Sequence, residues 1–123
     1  MEFFLFLLIK HVIVDLGMQS QLQNINKKYY FGNGHIHYIQ HGLGTLVVCF
    51  LFLPVVPALL CSLADYIIHW QIDYLKHLVN RVFKIENRST AWWWVNTIDQ
   101  CLHFITYYYL VTYFSAMSFL IFY

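Results

Sequence analysis

A chain of 123 residues that is 60% hydrophobic, 20% aromatic and 11% charged lies well below the roughly 25% charged residues of a soluble domain. Its length fits a single domain, 1–123, and four membrane spans of about 20 residues each would use most of it. The formal net charge of +1 gives no reason to expect a nucleic-acid partner, and the composition predicts an all-α, integral membrane four-helix bundle whose partner is the lipid bilayer.

The first apolar stretch, MEFFLFLLIK, carries Glu2 where a signal peptide would have a basic region, and no small-residue cleavage site follows. It reads as a retained first span, about 3–19. That is short for a full crossing, so local thinning of the bilayer is expected. Lys10 can snorkel or pair with a neighbouring acid. His11, Asp15 and Gln19 follow at steps of four. On an α-helix such a step turns about 400°, so the side chains share a face. The next segment, SQLQNINKKYYFGNG, is polar and holds a glycine-bearing turn. Its Tyr29, Tyr30 and Phe31 suit a membrane interface.

Span two, about 35–53, opens on His35, His37 and His41. Gly42-Leu43-Gly44 reads as a close helix contact. The Pro54–Pro57 turn ends this span, because proline cannot continue a helix and restricts the residue before it. Pro57 suits the first turn of span three, about 57–83. Within its apolar surroundings that span carries Asp65, His69, Asp73 and His77, again at steps of four. A polar loop, 84–88, leads to Ser89 or Thr90 as an N-cap. Trp92, Trp93 and Trp94 then stand where an aromatic belt belongs. Span four, about 90–121, is longer than a bilayer requires and is expected to tilt or protrude. It carries Asp99 and His103 four apart, and its run Tyr107–Tyr109 reads as interfacial or lipid-facing bulk. Cys49, Cys61 and Cys101 show no metal-binding spacing and read as small buried hydrophobes.

The basic residues set an orientation. Lys27 and Lys28 follow span one; Arg81, Lys84 and Arg88 follow span three; the connection between spans two and three has none. The positive-inside rule then puts the first and third loops in the cytoplasm and both termini outside it. With this topology the polar stripes of all four spans fall in the cytoplasmic half. They are expected to converge there on one site.

These residues resemble a bacterial and phage family catalogued as domain of unknown function 3307. The resemblance rests on His11, Asp15 and Gln19 followed by Asn26-Lys27, on His37 and His41, on His69, Asp73 and Lys76 in HWQIDYLK, and on Asp99, Gln100 and His103. It spans almost the whole chain in the right order. It implies a small multi-span protein of the bacterial inner membrane, or of a host membrane when phage-encoded, with no assigned activity. Asp65 and His77 rest on periodicity alone.

Imidazole and carboxylate without thiolate suit a divalent ion such as Zn²⁺ or Mn²⁺. The candidate ligands are His11, His37, His41, Asp65, His69, Asp73 and His103, with His41, His69, Asp73 and His103 foremost. Asp15 and Asp99 are candidate catalytic or orienting acids, and Lys76 a phosphate-binding charge. Such a centre would suit a metal-dependent hydrolase acting on a lipid or phosphoester. Two other readings are a proton or ion relay, for which a homo-oligomer would supply the missing helices, and a structural polar network.

Overall fold

The computed structural model describes residues 1–18 and 35–122. The expectations for Gln19, Asn26, Lys27, Lys28, the interfacial aromatics 29–31 and the glycine-bearing turn lie outside the described residues. The fold is all-α: α1 (Glu2–Val12) runs into a π-helical segment (Ile13–Met18), followed by α2 (His35–Phe50), α3 (Val55–Val82) and α4 (Thr90–Phe122). Each helix packs on its neighbours in sequence, and α4 closes the ring against α1. The four antiparallel helices therefore surround one shared axis.

Local chemistry sets the helix ends. Pro54 is extended (φ −60°, ψ 165°) and caps α3, so Pro57 falls in the first turn, where its missing N–H costs nothing. At the other end of α3, Ile85 N–H reaches Asn80 O at 2.9 Å and Lys84 N–H reaches Arg81 O at 3.3 Å. This is the double bond pattern of a Schellman stop. Lys84 takes the left-handed conformation that the motif needs, at φ 50°, although glycine would adopt it without strain. Ser89 Oγ accepts the Trp92 N–H at 3.2 Å and caps α4.

The core has two unlike halves. Toward the start of α1 and the end of α4 it is apolar, built from Phe3, Leu7, Val48, Cys49, Leu53, Ala58, Cys61, Leu110 and Phe114. Toward the π segment and the start of α2 it is polar, with Lys10, His11, His37, His41, Asp65, His69, Asp73, Asp99 and His103 all buried. The outer surface is the reverse: Leu5, Ile9, Leu43, Val47, Leu63, Ile67, Ile105 and Phe119 are exposed. Among the described residues α3 alone is long and apolar enough to cross a membrane, by length and composition. The α-helical part of α1 stops at Val12, α2 has 16 residues, and the long α4 is diluted by tryptophan, tyrosine and threonine.

The halves meet at Lys10. Its Nζ lies 3.2 Å from Asp65 Oδ2 on α3, 3.2 Å from His41 Nδ1 on α2 and 3.0 Å from Tyr107 OH on α4. Thr45 donates to the same Asp65 oxygen. Asp65, read from periodicity as a metal ligand, is thus the partner of a buried lysine. Tyr107, read as interfacial bulk, is fully buried, whereas Tyr108 and Tyr109 are exposed. The glycines of α2 permit the close approach: a Cβ on Gly44 would stand 2.8 Å from Lys10 Cγ, and one on Gly42 3.3 Å from Tyr66 Cβ on α3.

Removing one member of a buried ion pair leaves the other uncompensated, at a cost of about 3–5 kcal/mol. Lys10→Met is therefore expected to lower stability by that order in a denaturation experiment on the purified protein. The double variant Lys10→Met/Asp65→Leu should recover most of the loss. A double variant as unstable as the single one would show that the lysine acts by something other than pairing. Separately, Lys84→Gly should raise stability by up to about 1 kcal/mol by relieving the left-handed residue, read as a higher Tm.

Candidate metal centre

Steps of four bring acid and imidazole to the inner face of every helix, and the ring closure brings those faces together. Asp15, in the π segment, is the hub on one side. Its carboxylate lies 2.9 Å from His11 Nε2, 3.1 Å from His37 Nε2 and 2.7 Å from His41 Nε2. Asp73, on α3, is the hub on the other. It lies 3.6 Å from His69 Nε2, 3.4 Å from His103 Nε2, 3.9 Å from His37 Nε2 and 3.8 Å from Lys76 Nζ. Asp99 approaches His103 Nε2 at 3.3 Å and Lys76 Nζ at 3.3 Å. Between the hubs three imidazoles are stacked, with ring centroids 3.7 Å apart for His41–His69 and 4.0 Å for His69–His103.

Two sets of side chains are positioned to hold a metal ion. One is Asp15, His37, His41 and His69; the other is His69, Asp73 and His103. Within each set the potential ligand atoms all lie within 4.8 Å of one another. Spacing separates the two. A tetrahedral ion with bonds of about 2.0–2.1 Å holds its ligand atoms roughly 3.3–3.4 Å apart. In the Asp73 set, Oδ2 stands 3.6 Å from His69 Nε2 and Oδ1 stands 3.4 Å from His103 Nε2, each near that value. The Asp15–His41 separation of 2.7 Å is that of a hydrogen bond.

Proton placement gives the same division. An ammonium at Lys10 has donors only, so His41 Nδ1 accepts from it and the His41 proton sits on Nε2, aimed at Asp15. Tyr107 OH likewise accepts from Lys10 and donates to His11 Nδ1 at 2.8 Å. This leaves His11 Nε2–H for Asp15 and for Gln100 Oε1 at 3.0 Å. His11 and His41 therefore orient the Asp15 carboxylate. His11 belongs to neither set, and neither does Asp65.

His69 is not oriented by these hydrogen bonds. It is 1% exposed, and neither ring nitrogen has a hydrogen-bond partner among the described residues. A buried imidazole without partners is costly, and the single lone pair of a neutral ring is what a cation would use. Asp73 and His103 share its surroundings, as the sequence anticipated. Lys76 and Asp99 form an ion pair against Asp73 and His103, where they can orient ligands or meet an incoming anion. Lys10 was legible only as a residue able to pair. Thr45 and Gln100 carry contacts that spacing alone did not assign to them. Tyr107 did have a signal, since it continues the Asp99–His103 stripe by one more step of four.

No curated protein and no solved structure matches the chain. The family model described as Protein of unknown function (DUF3307) does match, over residues 3–122, and the chain belongs to that family.

Proposed function

We propose that this chain is a multi-span membrane protein that binds a divalent ion, Zn²⁺ or Mn²⁺, at His69, Asp73 and His103 and uses it to hydrolyse a lipid or other phosphoester. The observation that carries the metal reading is His69, deeply buried between two carboxylate hubs with both ring nitrogens lacking hydrogen bonds. A cation uses the ring's lone pair and offsets the clustered carboxylates together. The membrane reading draws on the inversion of the bundle, polar inside and apolar outside. Intramembrane acids commonly face a bundle interior and mark function.

An ion of this kind polarises a phosphoryl oxygen and supplies hydroxide near neutral pH. The chain would provide the rest. His11 and His41 hold Asp15 with its carboxylate toward the His69 side, ready to accept a proton. Lys76, paired with Asp99 at 3.3 Å, is a point charge suited to a phosphate. A second reading, a proton relay, is favoured by one observation: Asp65, Lys10, His41 and Asp15 form a continuous chain of contacts along the bundle axis.

Elemental analysis of the detergent-purified protein should find at least one divalent ion per chain. His69→Ala and Asp73→Ala should reduce it by roughly tenfold or more, in line with loss of a ligand. Chelator should lower the wild-type Tm and leave both variants unmoved. Metal-free protein with a Tm indifferent to Zn²⁺, Mn²⁺ and chelator would remove the hydrolase reading and leave the relay. For the membrane placement, the protein should stay with membranes through an alkaline carbonate wash. A reporter fused after Tyr123 should be active only outside the cytoplasm; release into the wash, or cytoplasmic activity, would contradict it.

A further inference from the structure

We infer that the cleft between α3 and α4 admits a membrane lipid sideways, with a phosphate headgroup on Lys76 and part of one acyl chain along the cleft. This rests on the membrane and metal readings above and narrows their substrate to an anionic phospholipid.

The cleft has a volume of about 170 Å³, the scale of a cavity that takes up one benzene-sized apolar molecule. It therefore holds a stretch of a single chain, with the remainder of the lipid left in the bilayer. Its walls are aliphatic, with Leu75 and Val79 on α3 and Val95 and Ile98 on α4; its polar lining is Lys76 and Asp99. Leu75 is 53% and Ile98 56% exposed, so the cleft opens on the outer, apolar surface of the bundle. At the inner end, Lys76 lies 3.8 Å from Asp73, and Asp99 lies 3.3 Å from His103. One passage thus joins the outer surface to two of the three proposed metal ligands.

Lys76 has the donors that an anion needs. An ammonium carries three. Lys10 engages all three inside the bundle, although the larger cleft between α1 and α2 also reaches it. Lys76 makes one hydrogen bond among the described residues, to Asp99 at 3.3 Å. Its side chain is 16% exposed, against 2% for Asp99 and 4% for Asp73. The ammonium is therefore the outermost of the three charges and the first that an entering headgroup meets. Two carboxylates against one ammonium leave a formal −1 at this end, and one bound dication makes it +1. A phosphate is thus attracted only with the ion in place. The level along the bundle also suits a headgroup. Lys76 stands five residues before Arg81, about 8 Å along α3, and Asp99 stands five residues after the exposed Trp94 on α4. Basic and tryptophan side chains mark the headgroup level.

The test uses the full chain with Zn²⁺ in phosphatidylcholine vesicles doped with a phosphatidic acid that carries a diazirine on one acyl chain. Illumination should label the cleft walls, read by mass spectrometry of peptides covering 72–79 and 95–102. A diazirine phosphatidylcholine, which is zwitterionic, should label them roughly tenfold less, the scale of one hydrogen bond to a charged group. Lys76→Gln should lose that preference while keeping its zinc, and Lys76→Arg should retain it. Val95→Trp, which fills the cleft, should lose the labelling. Elemental analysis of the same samples separates the two readings. Protein without zinc, or outside the vesicles, overturns the reading above together with this one. Zinc-loaded protein whose cleft is unlabelled, or is labelled equally by both lipids, overturns the lipid site alone. So does labelling that soluble glycerol phosphate displaces as well as phosphatidic acid does, since the site then takes a headgroup without its chain. The wild-type comparison of the two lipids decides the matter even where a variant fails to fold.

Discussion

One ammonium group ties the bundle together. Lys10 on α1 touches Asp65 on α3, His41 on α2 and Tyr107 on α4, so a single side chain contacts every other helix. A lysine buried this deeply is tolerated only because each of its protons has an acceptor, and because Thr45 helps to satisfy Asp65. Apolar packing between these helices could slide by a turn at modest cost. A charge with three partners on three helices cannot. Register in this fold is therefore set by electrostatics, with the apolar half acting as filler around it.

The same lysine also organises the chemistry beside it. Its donors fix which nitrogens of His41, and through Tyr107 of His11, carry protons, and both rings then present N–H to Asp15. A group that spaces the helices is thus one bond away from the group that seats a carboxylate. His69, reached by neither arm of this network, has no hydrogen bond at either ring nitrogen among the described residues.

Much of this was legible in the sequence. A step of four is a strong signal on a helix, and it placed His11, Asp15, His37, His41, His69, Asp73, Asp99 and His103 on inward faces. Periodicity could not distinguish partners within a shared face. Asp65 falls on the same stripe as His69 and Asp73, yet one turn's displacement along α3 puts it beside Lys10 and outside either ligand set. Tyr107 illustrates the opposite error: its exposed neighbours Tyr108 and Tyr109 suggested bulk, while its own stripe pointed inward. Depth along the bundle, which decides such cases, depends on how far each helix slides against the next, and spacing within one helix carries no information about that.

The π-helical segment Ile13–Met18 gives Asp15 a further property. Such wide turns insert a residue into an otherwise regular helix, so Asp15 sits where the winding of the chain changes. Deleting one residue just before it would restore ordinary winding and swing the carboxylate around the axis by about 100°, away from His37 and His41. The position of the hub is therefore a matter of residue count as much as of residue identity. A lineage could silence the Asp15 side of the centre by a one-codon deletion, with every histidine and aspartate still in place.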